Sequence, residues 1–401
     1  MDNFILRLLP LVVFGFLFYR ALKKKNKLAS TIIGLYFLTS ICSLLMSEKL
    51  LRYHDFETDS FGSFLIYTAI HGSFLSLTFL VKPFKRLREL PDGGVYNYMV
   101  MFFLFGAIYS TLYLTPYAIN SLAGSALELR TEMQTEELKV LPSTIFTTIA
   151  VGFPYFYYVY IFIFFNALLK GETKVAFLSL LGPLAYIMNV FTVAGRDGVL
   201  FITFGFLLIY FQFENLIKRD LKKIFKRYFL VGVFLFSIPI ISISNERFSK
   251  TGKFDMTTFN KGIIFYLGTQ PFVFSDYLKD PDPVFNYGVN IFPLFTNKER
   301  VEARKEYSGI FASSLSSFYM ISGYASVFGM GLIFYATFKQ ILGRTYTFSG
   351  ISLIFCYGLF FHFMISGVFY FRMGNKGGNL FLILSLLIAI FLRKRKLGRL
   401  G

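Results

Sequence analysis

Asn189–Leu200, NVFTVAGRDGVL, parts two long apolar runs. Upstream, residues 173–193 read TKVAFLSLLGPLAYIMNVFTV; downstream, residues 199–211 read VLFITFGFLLIYF. Backbone inside lipid must satisfy its own hydrogen bonds, which makes each run a helix. With so few residues between them, the two helices form a tight membrane hairpin. Its turn, 194–198, sits at the membrane surface or dips below it, and carries Arg196. A guanidinium held there costs energy unless something anionic meets it. Two partners are open: the phosphate groups of a lipid-borne substrate, or Asp197 and ordinary headgroups to which the side chain snorkels.

The rest of the chain has the same character. Of 401 residues, 55% are hydrophobic, 20% aromatic and only 16% charged, against about 25% charged in a soluble domain. Apolar runs of about 20 residues recur from end to end, which predicts an all-α polytopic membrane protein, a single transmembrane domain over 1–401. The net charge of +18 does not point to nucleic acid, because the basic residues cluster between spans, where they set orientation. Cys42 and Cys356 both fall in apolar runs and read as small hydrophobes. Trp is absent, so the 26 Tyr supply most of the interfacial anchoring.

About eleven spans are expected, near 4–19, 28–46, 61–81, 96–117, 144–169, the hairpin pair, 228–244, 316–338, 347–370 and 379–392. The segments this map puts inside hold 24 Lys and Arg, against 7 in the short outer segments. That asymmetry places the N-terminus outside and the C-terminus in the cytoplasm. The acids are skewed the other way, 18 of 23 lying outside. Hardly any carboxylate falls within a span, whereas ion-coupled transporters need them there. His71 and His362 are the intramembrane candidates for such work, and each also reads as a neutral core histidine.

Chemistry is therefore expected on the outer face, at the hairpin and in a large outer loop over 245–315. Long loops in compact proteins are usually lids or binding loops. Thr257–Tyr277 is half apolar and reads as a helix lying in the interface or re-entering the membrane. Thr296–Glu299 has capping-box spacing. A helix starting there puts Arg300 and Arg304 on one face, one turn apart, where they clamp a phosphate or pair with Glu302 and Glu306. The Asp-Pro-Asp-Pro run 280–283 has the spacing of a metal-binding acidic pair, but its prolines make a rigid turn the better explanation. No metal or cofactor is expected.

Three stretches resemble the O-antigen polymerase (Wzy) family, also called oligosaccharide repeat unit polymerases. AGRDGVLF (194–201) is similar to that family's arginine-bearing turn between two central spans. YLGTQPFVFSDYL (266–278) resembles an aromatic segment early in its large outer loop. SLSSFYMISGYASVFGMGLIFYATF (314–338) resembles the span after that loop. The resemblance covers roughly 145–390. Members commonly carry an acid in the Phe-Tyr-x-Asp-x-Gly region, where this chain has Ile321, so no catalytic acid is placed there.

The resemblance implies a GT-C-like membrane glycosyltransferase in a bacterial inner membrane. Its substrates would be undecaprenyl-pyrophosphate-linked oligosaccharides, and its partners membrane lipids, a flippase and a chain-length regulator. The growing glycan is transferred from one lipid pyrophosphate to the nonreducing end of a repeat unit on another. Negative charge grows on the leaving pyrophosphate, and fixed arginines stabilise it without a metal. Arg196 is the first candidate, with Arg300, Arg304, Arg247 and Arg372 in support. Candidate bases for the acceptor hydroxyl are Glu246, Asp255 and Asp276, while Asp197 orients Arg196. Tyr266, Phe272, Phe274, Tyr277 and Tyr319 would line the sugars or anchor the loop in the membrane. An O-antigen ligase is disfavoured because 245–315 contains no His and His54 lies in a small loop; a non-enzymatic lipid-linked glycan flippase or transporter is the other alternative.

Overall fold

The computed structural model describes residues 3–46, 61–87, 90–124, 140–142, 144–193, 195, 197–250, 259–280, 283–296, 313–343 and 350–391, with backbone alone at 228, 233, 235, 236, 239, 240, 242–250 and 259–263. Among the described residues every regular element is helical. In chain order the α-helices are α1 (Asn3–Lys23), α2 (Lys27–Leu45), α3 (Phe61–Leu77), α4 (Gly94–Ala123), α5 (Ile145–Gly152), α6 (Tyr157–Lys170), α7 (Thr173–Ser179) and α8 (Leu181–Phe191). They continue as α9 (Asp197–Phe213), α10 (Arg219–Lys250), α11 (Phe259–Gly268), α12 (Gln270–Lys279), α13 (Ser314–Ser322), α14 (Tyr324–Gly343), α15 (Gly350–Ser366) and α16 (Lys376–Phe391). A 3-10 turn, Thr78–Leu80, extends α3, and another, Phe153–Phe156, joins α5 to α6.

Among the described residues, seven helical stretches are long and apolar enough to cross a membrane: Phe4–Lys23, Lys27–Leu45, Phe61–Leu80, Gly94–Ala123, Ile145–Lys170, Thr173–Phe191 and Tyr324–Gly343. Three more, α9, α15 and α16, are apolar but shorter. Local signals set the boundaries. Asn26 caps α2 by accepting from Ala29 N at 3.0 Å, and Thr144 caps α5 by accepting from Thr147 N at 3.2 Å. Gly171 ends α6 at φ 77°, the left-handed geometry that glycine adopts without a Cβ penalty.

The chain groups into two compact units, each assembled from three stretches. The first contains Met1–Lys82, Asn260–Thr345 and Phe360–Asn379; the second contains Pro83–Phe259, Tyr346–Leu359 and Leu380–Gly401. In the first unit α1 packs on α2 and α3, and α3 also receives α12 and α14. In the second, α4 packs along α8, and α6 packs on α7, α8 and α9.

With aromatics so abundant, both cores are built from rings. In the first unit Phe14 meets Tyr36 edge-on at 5.9 Å and Phe334 stacks on Phe363 at 4.9 Å. In the second, Phe103 meets Tyr160 edge-on at 5.5 Å and Phe156 meets Phe381 at 5.1 Å. Each such pair contributes about 0.5–1.5 kcal/mol beyond burial.

The stretch 245–315 contains more than loop. Residues 245–250 continue α10 as helix, and α11 and α12 follow as two ten-residue helices around Thr269. Thr269 keeps right-handed helical geometry, and its N–H still reaches Phe265 O at 3.1 Å. Pro271, which cannot donate, accounts for the interruption. Pro271, Phe272, Val273, Phe274, Tyr277 and Leu278 are buried, so α12 belongs to the core of the first unit. A Cβ on Gly268 would stand 2.7 Å from Cys42 C, so glycine lets this segment lie directly on the α2 backbone.

Candidate functional site

The hairpin turn belongs to the second unit and is closed by shape. α8 ends at Phe191, and Thr192 N donates back to Met188 O at 3.0 Å. Val190 O then accepts from both Val193 N (3.3 Å) and Gly195 N (3.0 Å), so this orphan carbonyl is satisfied within the turn. Thr192 O accepts from Ser121 Oγ, in the last turn of α4, at 2.9 Å. The chain then doubles back over Val190. A Cβ on Gly195 would stand 2.6 Å from Val190 Cγ1, and one on Gly198 would stand 2.6 Å from Val190 Cγ2. Both glycines are therefore spacing requirements, and together they hold the backbone on either side of residue 196.

Asp197 opens α9, where a carboxylate meets the positive end of the helix dipole. Its Oδ1 lies 3.3 Å from the position a Gly195 Cβ would occupy, so the carboxylate folds back over the turn. Arg196 itself lies outside the described residues, as do Asp255, Arg300 and Arg304. Glu246 and Arg247 fall in the last turns of α10, described as backbone.

The remaining candidates lie in the first unit. Arg372 sits in the loop between α15 and α16, half-buried. Its Nη1 donates to Tyr370 Oη at 2.7 Å, and its guanidinium carbon is 5.5 Å from the same ring's centroid. Asn375 fixes this loop, donating to Arg372 O at 3.0 Å and capping α16 by accepting from Gly378 N at 2.7 Å. Asn379, fully buried, binds a second loop to it. Its Nδ2 donates to Met373 O at 2.7 Å and Ile291 O at 2.8 Å, and its Oδ1 accepts from Leu294 N at 3.3 Å.

Tyr319 joins the same assembly. Residues 286 and 287 donate from their backbones to Met320 O and Ile321 O, at 2.7 and 3.1 Å, which lays the 283–296 loop along α13. Phe285 thereby meets Tyr319 edge-on at 6.0 Å. Phe318 on the same helix packs 5.3 Å from Phe371, next to Arg372. Arg372 and Tyr319 are thus parts of one platform. On α11 and α12, Tyr266 and Asp276 are half-buried, while Tyr277 is buried. Phe272 and Phe274 are core rings, packed against Phe64 at 5.6 Å and Tyr67 at 6.2 Å.

One residue of interest is not among the candidates named from the sequence. Arg7, inside the first apolar helix, is only 5% exposed. Its Nη1 donates to Met46 O at 2.9 Å, and its guanidinium lies 5.1 Å from the Phe272 ring centroid. The available signal was a lone arginine in an apolar run whose one nearby acid in sequence is Asp2. Among the described residues, no three His, Cys, Asp or Glu side chains gather closely enough to hold a metal ion.

These features define a helical protein that has, among the described residues, seven helical stretches suited to crossing a membrane. Beyond that class, the chain matches no family model, curated protein or solved structure in the comparisons.

Proposed function

We propose that the protein is a bacterial inner-membrane glycosyltransferase that polymerises lipid-pyrophosphate-linked oligosaccharide repeat units on the outer face of the membrane. The observation that carries this reading is the hairpin turn. Gly195 and Gly198 clasp Val190, and the Asp197 carboxylate folds back toward Gly195, so the described residues on either side of position 196 are tightly packed. A preorganised guanidinium costs no reorganisation when charge develops on a leaving pyrophosphate. In the reaction the bond between the donor's anomeric carbon and the pyrophosphate oxygen breaks. The acceptor hydroxyl forms the new glycosidic bond, and its proton passes to a carboxylate, for which Glu246, Asp255 and Asp276 are the candidates.

The topology proposed with it has eleven spans in a GT-C-like arrangement, N-terminus outside and C-terminus in the cytoplasm. Support comes from the number of helical stretches. Among the described residues there are seven long stretches and three shorter apolar ones, and the apolar run at residues 228–244 of α10 would be the eleventh. Arg372 and Tyr319, on their shared platform, are the proposed contacts to glycan and phosphate in the first unit. A flippase and a chain-length regulator are the proposed partners.

The test is chain length in cells and in vesicles supplied with lipid-linked repeats. Arg196→Ala should slow polymerisation by about 10²–10³-fold, the loss seen when a preorganised transition-state donor is removed. Long glycan disappears while a one-repeat product remains. Arg196→Lys should recover only part of the rate, since an ammonium lacks the bidentate fork. Unchanged chain length in Arg196→Ala would remove the proposal's support. Translocation of lipid-linked repeats without new glycosidic bonds would identify a transporter, and transfer of finished glycan to a lipid A core would identify a ligase.

A further inference from the structure

At the C-terminal end of α1, two cations converge on one ring. The Arg20 guanidinium carbon is 5.3 Å from the Phe79 centroid, and Lys24 Nζ is 5.4 Å from it. Phe79 lies in the 3-10 turn that ends α3, and α2 and α14 both touch that turn. α14 runs alongside α3 in the same direction: a Cβ on Gly331 would stand 3.6 Å from Ile70, and Tyr335 lies 6.4 Å from Phe74. Lys339, one turn further on and 5.7 Å from the Tyr335 ring, therefore reaches the same end. Lys23 and Lys25 flank Lys24 in the sequence.

No Asp or Glu occurs in 3–47, 60–82 or 313–345, the stretches that build this end of the unit. Each cation is attracted to its aromatic face, and the C-terminus of α1 favours positive charge. Neither effect relieves the repulsion between Arg20 and Lys24 over a single ring. An anion between them does, with the guanidinium giving paired hydrogen bonds and the ammonium a point charge. A spanning helix ends where lipid phosphates lie. We propose that this end of the first unit is a binding site for anionic lipid headgroups, with Arg20 and Lys24 clasping the headgroup phosphate against Phe79. The site follows from the spanning helices and stands apart from the polymerase reading.

The chain contains no Trp, so Phe79→Trp installs a single reporter that keeps an aromatic face under both cations. The full-length Phe79→Trp protein is placed in bilayers containing brominated phosphatidylglycerol or brominated phosphatidylcholine at equal mole fraction. Quenching should favour phosphatidylglycerol, and the preference should fall as salt screens it. Adding Arg20→Gln with Lys24→Gln should cut the preference on the order of tenfold, since each basic residue contributes several-fold to binding an anionic surface. The pair Lys23→Gln with Lys25→Gln should cut it less. Equal quenching by the two lipids overturns the proposal, as does a preference insensitive to salt or unchanged by removing Arg20 and Lys24. Loss of the preference in excess inorganic phosphate would identify a soluble phosphate ligand and overturn the lipid assignment. Phe79→Trp alone supplies the lipid and salt comparisons even if the Gln pair fails to fold.

Discussion

The turn between α8 and α9 and the loop between α15 and α16 both return the chain from one apolar helix to the next. They do it by opposite means. The first is a steric clasp, in which Gly195 and Gly198 straddle Val190, and Ser121 supplies a hydrogen bond from α4. The second is held by amide side chains, Asn375 and above all Asn379, which makes three hydrogen bonds to two loops. Added volume should therefore break the first, and lost donors should break the second.

The largest effect is expected at Asn379. Its replacement by Ala leaves the carbonyls of Ile291 and Met373, both buried residues, without the donor they had. Each such group costs about 1–3 kcal/mol, so Asn379→Ala should lose about 3–5 kcal/mol, read as a lower unfolding midpoint in detergent. Asn379→Asp keeps the shape and the acceptor but loses both donors and buries a charge, so it should be no better. A mild effect from Asn379→Asp would mean that shape, and not hydrogen bonding, holds this loop.

At the clasp, Gly198→Ala should cost about 1–3 kcal/mol through overpacking against Val190. Val190→Ala in the same chain opens room for the new methyl. The double variant should then be less damaged than the two single losses combined, with a coupling of about 0.5–3 kcal/mol. Simple additivity would show that the two residues do not press on each other. The double variant also bears on function: if the clasp positions Arg196, polymer length should respond to Gly198→Ala even where the protein remains folded.

This contrast also explains what could be read from the sequence. The Gly-Arg-Asp-Gly turn was legible because its parts are adjacent and lie between two apolar runs. The helical class and the positions of the apolar helices were legible for the same reason, since hydropathy is a local signal. The Asn379 platform was not, because its partners lie at Ile291, Leu294 and Met373, up to 88 positions away. Nor was the core role of α12. Phe272 and Phe274 sit in a segment with helical breaks and charged flanks, and only tertiary packing shows that they bury against α3. Arg7 was visible as an oddity, but its acceptor at Met46 O depends on how α1 lies against α2. The two-unit grouping was also beyond the sequence, because each unit draws on three separated stretches.

A third return, the loop 83–93 of the second unit, is tied by charge and offers the smallest effect. Lys170 Nζ meets Asp92 Oδ1 at 2.8 Å and Pro91 O at 3.2 Å. The hydrogen bond from Lys170, and after it that from Gly93 N, holds the Asp92 carboxyl below the usual carboxylate range. A carboxyl depressed in the folded state stabilises above its unfolded pKa, near 3.9, and loses that contribution as pH falls through its folded value. Asp92 is fully exposed, so solvent screens the pair and the gain is small. Asp92→Asn should lower the unfolding midpoint slightly at pH 7. The gap from the parent protein should narrow below about pH 4 and close as the parent's carboxyl becomes protonated. A gap already absent at pH 7 would mean that Asp92 acts through its hydrogen bond to Gly93 N, which an amide oxygen also accepts. The tie from Lys170 to Pro91 O would then be what holds this loop.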